Sequence, residues 1–214
     1  MRRRRSAIVR PHVPRPLALP FSAALAVALT ACAAPQEQAR PPSSPDTVRV
    51  VLAPADLAVV GARGSGGGGE LPEAVALGRS AGGTVEMLFR FAATWPDDAE
   101  VVSAFLVLEP LDGAPPPSSA VTLETARITE PWRPGVVSWG RQPRLDVPRA
   151  AGNVRPRAAL PLRVDVTALV RAWSRRSGGD HGIALLAHGA DAFGALVSTS
   201  VAPGSGPRLE VYVR

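Results

Sequence analysis

Lysine is absent from all 214 residues, so each of the 24 cationic side chains is an arginine. That removes two chemistries at once, because a P-loop needs a lysine on its phosphates and a Schiff-base enzyme needs a lysine amine. Cysteine occurs once, at Cys32. A single thiol forms no internal disulfide and supplies no cysteine-rich zinc site, so the core alone must hold the fold. Acidic residues are missing from the first 31 positions, where Arg2, Arg3, Arg4, Arg5, Arg10 and Arg15 all lie. A clean apolar run of membrane-spanning length is missing too. The stretch from Leu17 to Ala31 is uncharged but broken by Pro20, and a spanning helix needs about 20 residues.

Charge follows from where those arginines sit. The chain carries a formal net charge of +6, yet six of its 24 cations belong to the first 31 residues, so the rest balances its 18 Asp and Glu to zero. Nucleic-acid binding needs a surplus of positive charge against phosphate, and no such surplus exists beyond the leader. No nucleic-acid partner is expected.

The leader is ordered like an export signal: a basic stretch from Met1 to Arg15, an apolar stretch from Leu17, then Leu29-Thr30-Ala31-Cys32. These last four residues resemble a lipobox, which makes Cys32 the expected lipidation site; a plain secretory signal with a chance cysteine is the alternative. Residues 1–31 are then a lipoprotein signal peptide and 32–45 a flexible tether, rich in Pro, Ala, Gln and Ser and without apolar periodicity. The expected location is the cell envelope, lipid-anchored and extracytoplasmic. Ala33 rather than Asp follows the cysteine, which in a Gram-negative cell points to the outer membrane.

From Thr47 onward, period-two alternation with Pro and Gly punctuation predicts short strands. They are read at Val48 to Leu52, Val85 to Phe91, Val101 to Leu108, Val121 to Ile128, Val136 to Trp139, Ile183 to Ala187, Ala195 to Val201 and Arg208 to Val213. In the clearest of them Val85, Met87, Phe89 and Phe91 share one face while Glu86, Leu88 and Arg90 share the other. Loops are expected at Gly61 to Gly69 and Gly113 to Ser119. One helix is expected from Ala168 to about Arg176, capped by Asp165 or Thr167 and stopped by Gly178-Gly179. Eight or nine strands and one short helix give an all-β fold, a jelly-roll-like antiparallel β-sandwich over 46–214.

Several elements together carry a family resemblance: Leu88-Phe89-Arg90-Phe91 before Val101-Val102-Ser103-Ala104; Trp132 with Val137-Ser138-Trp139; Asp165-Val166-Thr167 leading to Val170 and Trp173; Gly182-Ile183-Ala184-Leu185; and Pro207-Arg208-Leu209. In this order they resemble the DNRLRE, or disaggregatase-related, domains, also grouped as carbohydrate-binding module family 96. The resemblance spans Thr47 to Arg214. It implies a jelly-roll sandwich of the kind attached to extracellular polysaccharide-active proteins, some of which bind acidic polysaccharide.

Catalytic motifs are not found. His181 and His188 lack the companions of a familiar zinc site, no serine sits in a G-x-S-x-G elbow, and the Gly64 to Gly69 match to G-x-G-x-x-G has no helix behind it. A non-catalytic domain without cofactor or metal is expected. Sugar stacking would fall to tryptophan: Trp132, Trp139 and Trp173 read as core, whereas Trp95, beside Pro96, reads as exposed. Arg141, Arg144, Arg149, Arg155 and Arg157, with only Asp146 among them, could grip carboxylated sugars through bidentate forks, or form an ordinary solvated loop. Trp95, Arg141, Arg144 and Arg149 are therefore the candidate ligand residues for an anionic polysaccharide. The competing reading is a structural or adhesive envelope lipoprotein that contacts other proteins.

Overall fold

The computed structural model describes residues 41–42, 46–61, 71–78, 84–92, 95–96, 98–115, 120–154, 157, 159–174, 181–189, 193–202 and 204–214. The chain divides into two units, Met1–Cys32 and Ala33–Arg214, and every described residue belongs to the second. The expected signal peptide, Cys32 and most of the expected tether lie outside the described residues.

Among the described residues eleven strands and one helix follow in order: β1 (Val48–Leu52), β2 (Pro54–Gly61), β3 (Ala74–Gly78), β4 (Val85–Phe91), β5 (Val101–Leu108), β6 (Val121–Arg127), β7 (Arg149–Val154), β8 (Leu162–Asp165), α1 (Thr167–Ser174), β9 (Ile183–Gly189), β10 (Phe193–Ser198) and β11 (Arg208–Val213). They form a four-stranded sheet β1-β11-β5-β8, a five-stranded sheet β2-β4-β9-β6-β7 and a two-stranded sheet β10-β3. Every ladder is antiparallel. The pairs β1 with β11, β3 with β10, β4 with β9, β5 with β8 and β6 with β7 nest inside one another along the chain. A ribbon of nested pairs rolled across two facing sheets is the jelly roll. The fold is thus an all-β sandwich with one short helix.

Alternation explains the core. Leu106, Leu108, Val164, Leu209 and Val211 of the four-stranded sheet face Met87, Phe89, Leu123, Ile183 and Leu185 of the five-stranded one, in a single buried cluster. Helix α1 closes one side through Val170 and the half-buried Leu169 and Trp173. Asp165, one residue ahead of the cap position, leads the chain into it through an Asx turn in which its Oδ1 accepts the Thr167 N–H at 2.8 Å. The Thr167 hydroxyl accepts instead from the Ala104 N–H of β5, at 2.9 Å. Arg171 donates to the carbonyls of Val101 and Val102, tying the helix to the start of β5.

Two expectations change. Val136 to Trp139 is no strand but a turn followed by a tight hairpin, in which Ser138 and Arg141 bridge. Four strands, β2, β3, β7 and β8, add to those read from the sequence. The outer face of β4 is covered at Glu86 and Leu88 and open at Arg90. Leu88 is buried there with Ala58, Val60, Ala126, Ala184 and Leu186, beneath Ile128, Trp132 and Val137 of the segment that follows β6.

Candidate functional site

The segment 128–148 lies on the outer face of the five-stranded sheet, and its own hydrogen bonds fix it. At its neck Ile128 bridges Leu145, and the Thr129 N–H and hydroxyl both donate to the Arg144 carbonyl, at 2.9 and 3.0 Å. Trp132 is buried and gives its indole N–H to the His181 carbonyl at 2.7 Å, which staples the segment to the entry of β9. Beyond it the Arg133 carbonyl accepts from Val136 and Val137. Ser138 and Arg141 then exchange two backbone hydrogen bonds, of 3.1 and 2.9 Å, around Trp139-Gly140.

The tip of that hairpin holds an aromatic ring in water, since Trp139 is 42% exposed. Two residues on, the Arg141 side chain is exposed, and neither it nor Arg133 has an acidic partner among the described residues. Arg144 stands 3.6 Å from Glu130 and is 78% exposed. Arg127 is held 3.5 Å from Asp146. Beside the segment, Arg90, Pro131, Trp132, Arg133 and Val136 line a shallow pocket of about 500 Å³, where Arg90 is paired with Asp56. The pocket has an apolar base and two guanidinium groups at its edge.

The residues singled out from the sequence do not gather in one place. Arg141 and Arg144 sit on the segment, whereas Arg149 begins β7 opposite Thr125 of β6. The side chain of Arg149 and the whole of Arg155 lie outside the described residues. Arg157 lines a separate cleft at one end of the sandwich. Trp95, expected to be exposed, packs half-buried against the core cluster. Trp139, expected in the core, is the exposed ring, while Trp132 is buried and Trp173 is half-buried with its indole N–H unpaired. Trp139 and Arg133 are therefore what sequence reasoning missed. The available signal was Gly140, which favours a turn at Trp139 over a continued strand.

The end cleft is larger, about 1090 Å³, and is built from the lead into β3, the exit of β5, the approach to β8 and the end of β10. Glu73, Glu109, Asp112 and Arg157 are its charged lining. On the five-stranded sheet, away from the covered region, His188 Nε2 lies 3.1 Å from Glu124 Oε2. Glu86 is buried on β4 with Oε2 unpaired. Burial pushes its carboxyl above the usual carboxylate range, and the charge of His188 opposes that push. Among the described residues no group of three or more His, Cys, Asp or Glu side chains is placed to hold a metal ion. No described helix is long and apolar enough to cross a membrane.

Set against known proteins, the chain matches no family model and no curated protein.

Proposed function

We propose that this chain is a non-catalytic, lipid-anchored, extracytoplasmic domain that binds acidic polysaccharide, attached to the envelope through Cys32 and related to the DNRLRE domains that its sequence resembles. One observation supports the ligand: the exposed Trp139 ring at a rigid hairpin tip, on the same segment as the unpaired guanidinium groups of Arg133 and Arg141. A pyranose has an apolar face that stacks on an indole, and a uronate has a carboxylate that fits a guanidinium fork. The segment is held by the Trp132 bond and the neck at Thr129. Little conformational freedom therefore remains to be lost on binding. Arg144 adds positive charge at the base, partly offset by Glu130.

The test is retention of the purified chain in affinity gels carrying polyuronate or neutral glucan, at low and at moderate salt. Retention by polyuronate alone, weakened by salt and by Trp139→Ala and Arg141→Ala, is the expected result. Equal migration in both gels by a chain with an intact sandwich spectrum would overturn the reading.

A further inference from the structure

The end cleft differs in character from the arginine-bearing segment. Its floor is apolar, with Leu108 and Leu162 buried in the sandwich. At its rim Leu160 and Val201 stand 49% and 61% exposed, aliphatic groups left in water beside an open cavity. Among the described residues no aromatic side chain lines it, so a pyranose ring finds no flat face there to stack on. Its described lining is of the opposite sign, with Glu73, Glu109 and Asp112 against one cation, Arg157. Glu109 is already joined to Arg208, whereas Glu73 and Asp112 have no side-chain partner among the described residues. The serine rim is self-satisfied, with the Ser200 and Ser205 hydroxyls 2.9 Å apart.

We propose that this cleft binds an extended segment of a partner protein carrying basic and aliphatic side chains. A lysine or arginine has both parts the cleft calls for, an apolar stem to lie on Leu160 and Val201 and a cationic head for Glu73 or Asp112. The volume, about 1090 Å³, is just above the range for small-ligand pockets, which suits several side chains of one strand. This second site is independent of the polysaccharide reading and survives its failure.

The experiment is binding of the purified full chain to an array of decapeptides graded in charge and aliphatic content, with chitosan oligomers as the amine-bearing sugar competitor. Peptides with alternating basic and aliphatic residues should bind best. The Glu73→Gln/Asp112→Asn double variant should weaken them by roughly tenfold or more, and Trp139→Ala should leave them unchanged. Leu160→Ser, on the exposed rim, gives a second variant that spares the charges and should also weaken binding. Indifference to peptide charge, no peptide binding at all, or displacement of every peptide by chitosan would each overturn the proposal.

Discussion

Arg163 Nη1 lies 2.6 Å from Oε2 of Glu210, a carboxylate with no exposed surface on the outer face of the four-stranded sheet. Arg49 reaches the other oxygen at 2.6 Å, Arg208 at 3.0 Å, and the Tyr212 hydroxyl donates at 3.3 Å. Burial alone would favour the neutral acid, but these donors outweigh it and hold the carboxyl down to about 2. The folded-state value lies below the ordinary 4.5. The stability Glu210 contributes is therefore complete above that value and is lost as pH falls toward about 2. Glu210→Gln should cost on the order of 3 kcal/mol at neutral pH and flatten the acid limb of the stability curve. Denaturant titrations across that window check it; parallel curves for parent and variant would refute the linkage.

Glu86 has the opposite sign. Its carboxyl is raised by burial, so the folded state binds the proton more tightly than the unfolded chain does. Stability is then eroded as pH rises from the ordinary value through the raised one. Glu86→Gln should match the parent in acid and exceed it at mildly alkaline pH, as read from thermal melts. A variant weaker than the parent at alkaline pH would mean that Glu86 works as an anion.

Gly182 carries φ +118, and a Cβ built on it would stand 1.9 Å from the Phe89 carbonyl oxygen. The strain and the collision fall on one residue, at the point where β9 enters beside β4. Gly182→Ala should cost about 3 kcal/mol, lowering the midpoint of thermal unfolding by about 10 °C. A melt within a degree or two of the parent would show that β9 can shift to make room.

Two tryptophans exchange roles under truncation. Trp95→Ala removes a ring packed against the core and should cost about 2 kcal/mol without weakening retention by polyuronate. Trp139→Ala removes an exposed ring and should reduce retention while the melt stays within about 0.5 kcal/mol of the parent. Equal loss of stability in both would return Trp139 to the packing.

Cys32→Ser should leave the chain uncleaved and unlipidated. Phase partition in a cloud-point detergent, with labelled fatty acid as tracer, then shows loss of the label. Label retained by the variant would place the lipid elsewhere or point to another attachment.

The strand pattern was readable where one face meets the core. In β4, Met87 and Phe89 fall inward as alternation predicts, and the number of such strands was enough for the sandwich. Leu88 shows the limit: its face is buried by residues forty or more positions later, a contact that local periodicity does not contain. Strand β7, Arg-Ala-Ala-Gly-Asn-Val, has almost none of the branched or aromatic residues that mark strands; it forms because β6 offers it a ladder. Val136 to Trp139 has strand-like composition, but Pro134-Gly135 before it and Gly140 after it leave too little chain to pair. Of the candidate site, Arg141 and Arg144 were legible as a local cluster. The exchange between Trp95 and Trp139 depends on which loop folds back, and this is decided by tertiary contacts.

The outermost rung of the rolled ribbon, β1 on β11, also sets how the sandwich responds to a pull. Among the described strands β1 lies at the edge and pairs with β11 alone, from Val48 opposite Val213 to Leu52 opposite Leu209. Next to it the chain's other end is clamped, since Arg214 and Glu100 share two backbone hydrogen bonds and an ion pair at 2.8 Å. Tension entering ahead of Val48 along the strand must shear all five pairs together, while tension directed away from the sheet parts them one at a time. If the domain is hung from a lipid, a pull entering ahead of Val48 meets the β1–β11 ladder before any other, so the length of the leash depends on whether that ladder holds.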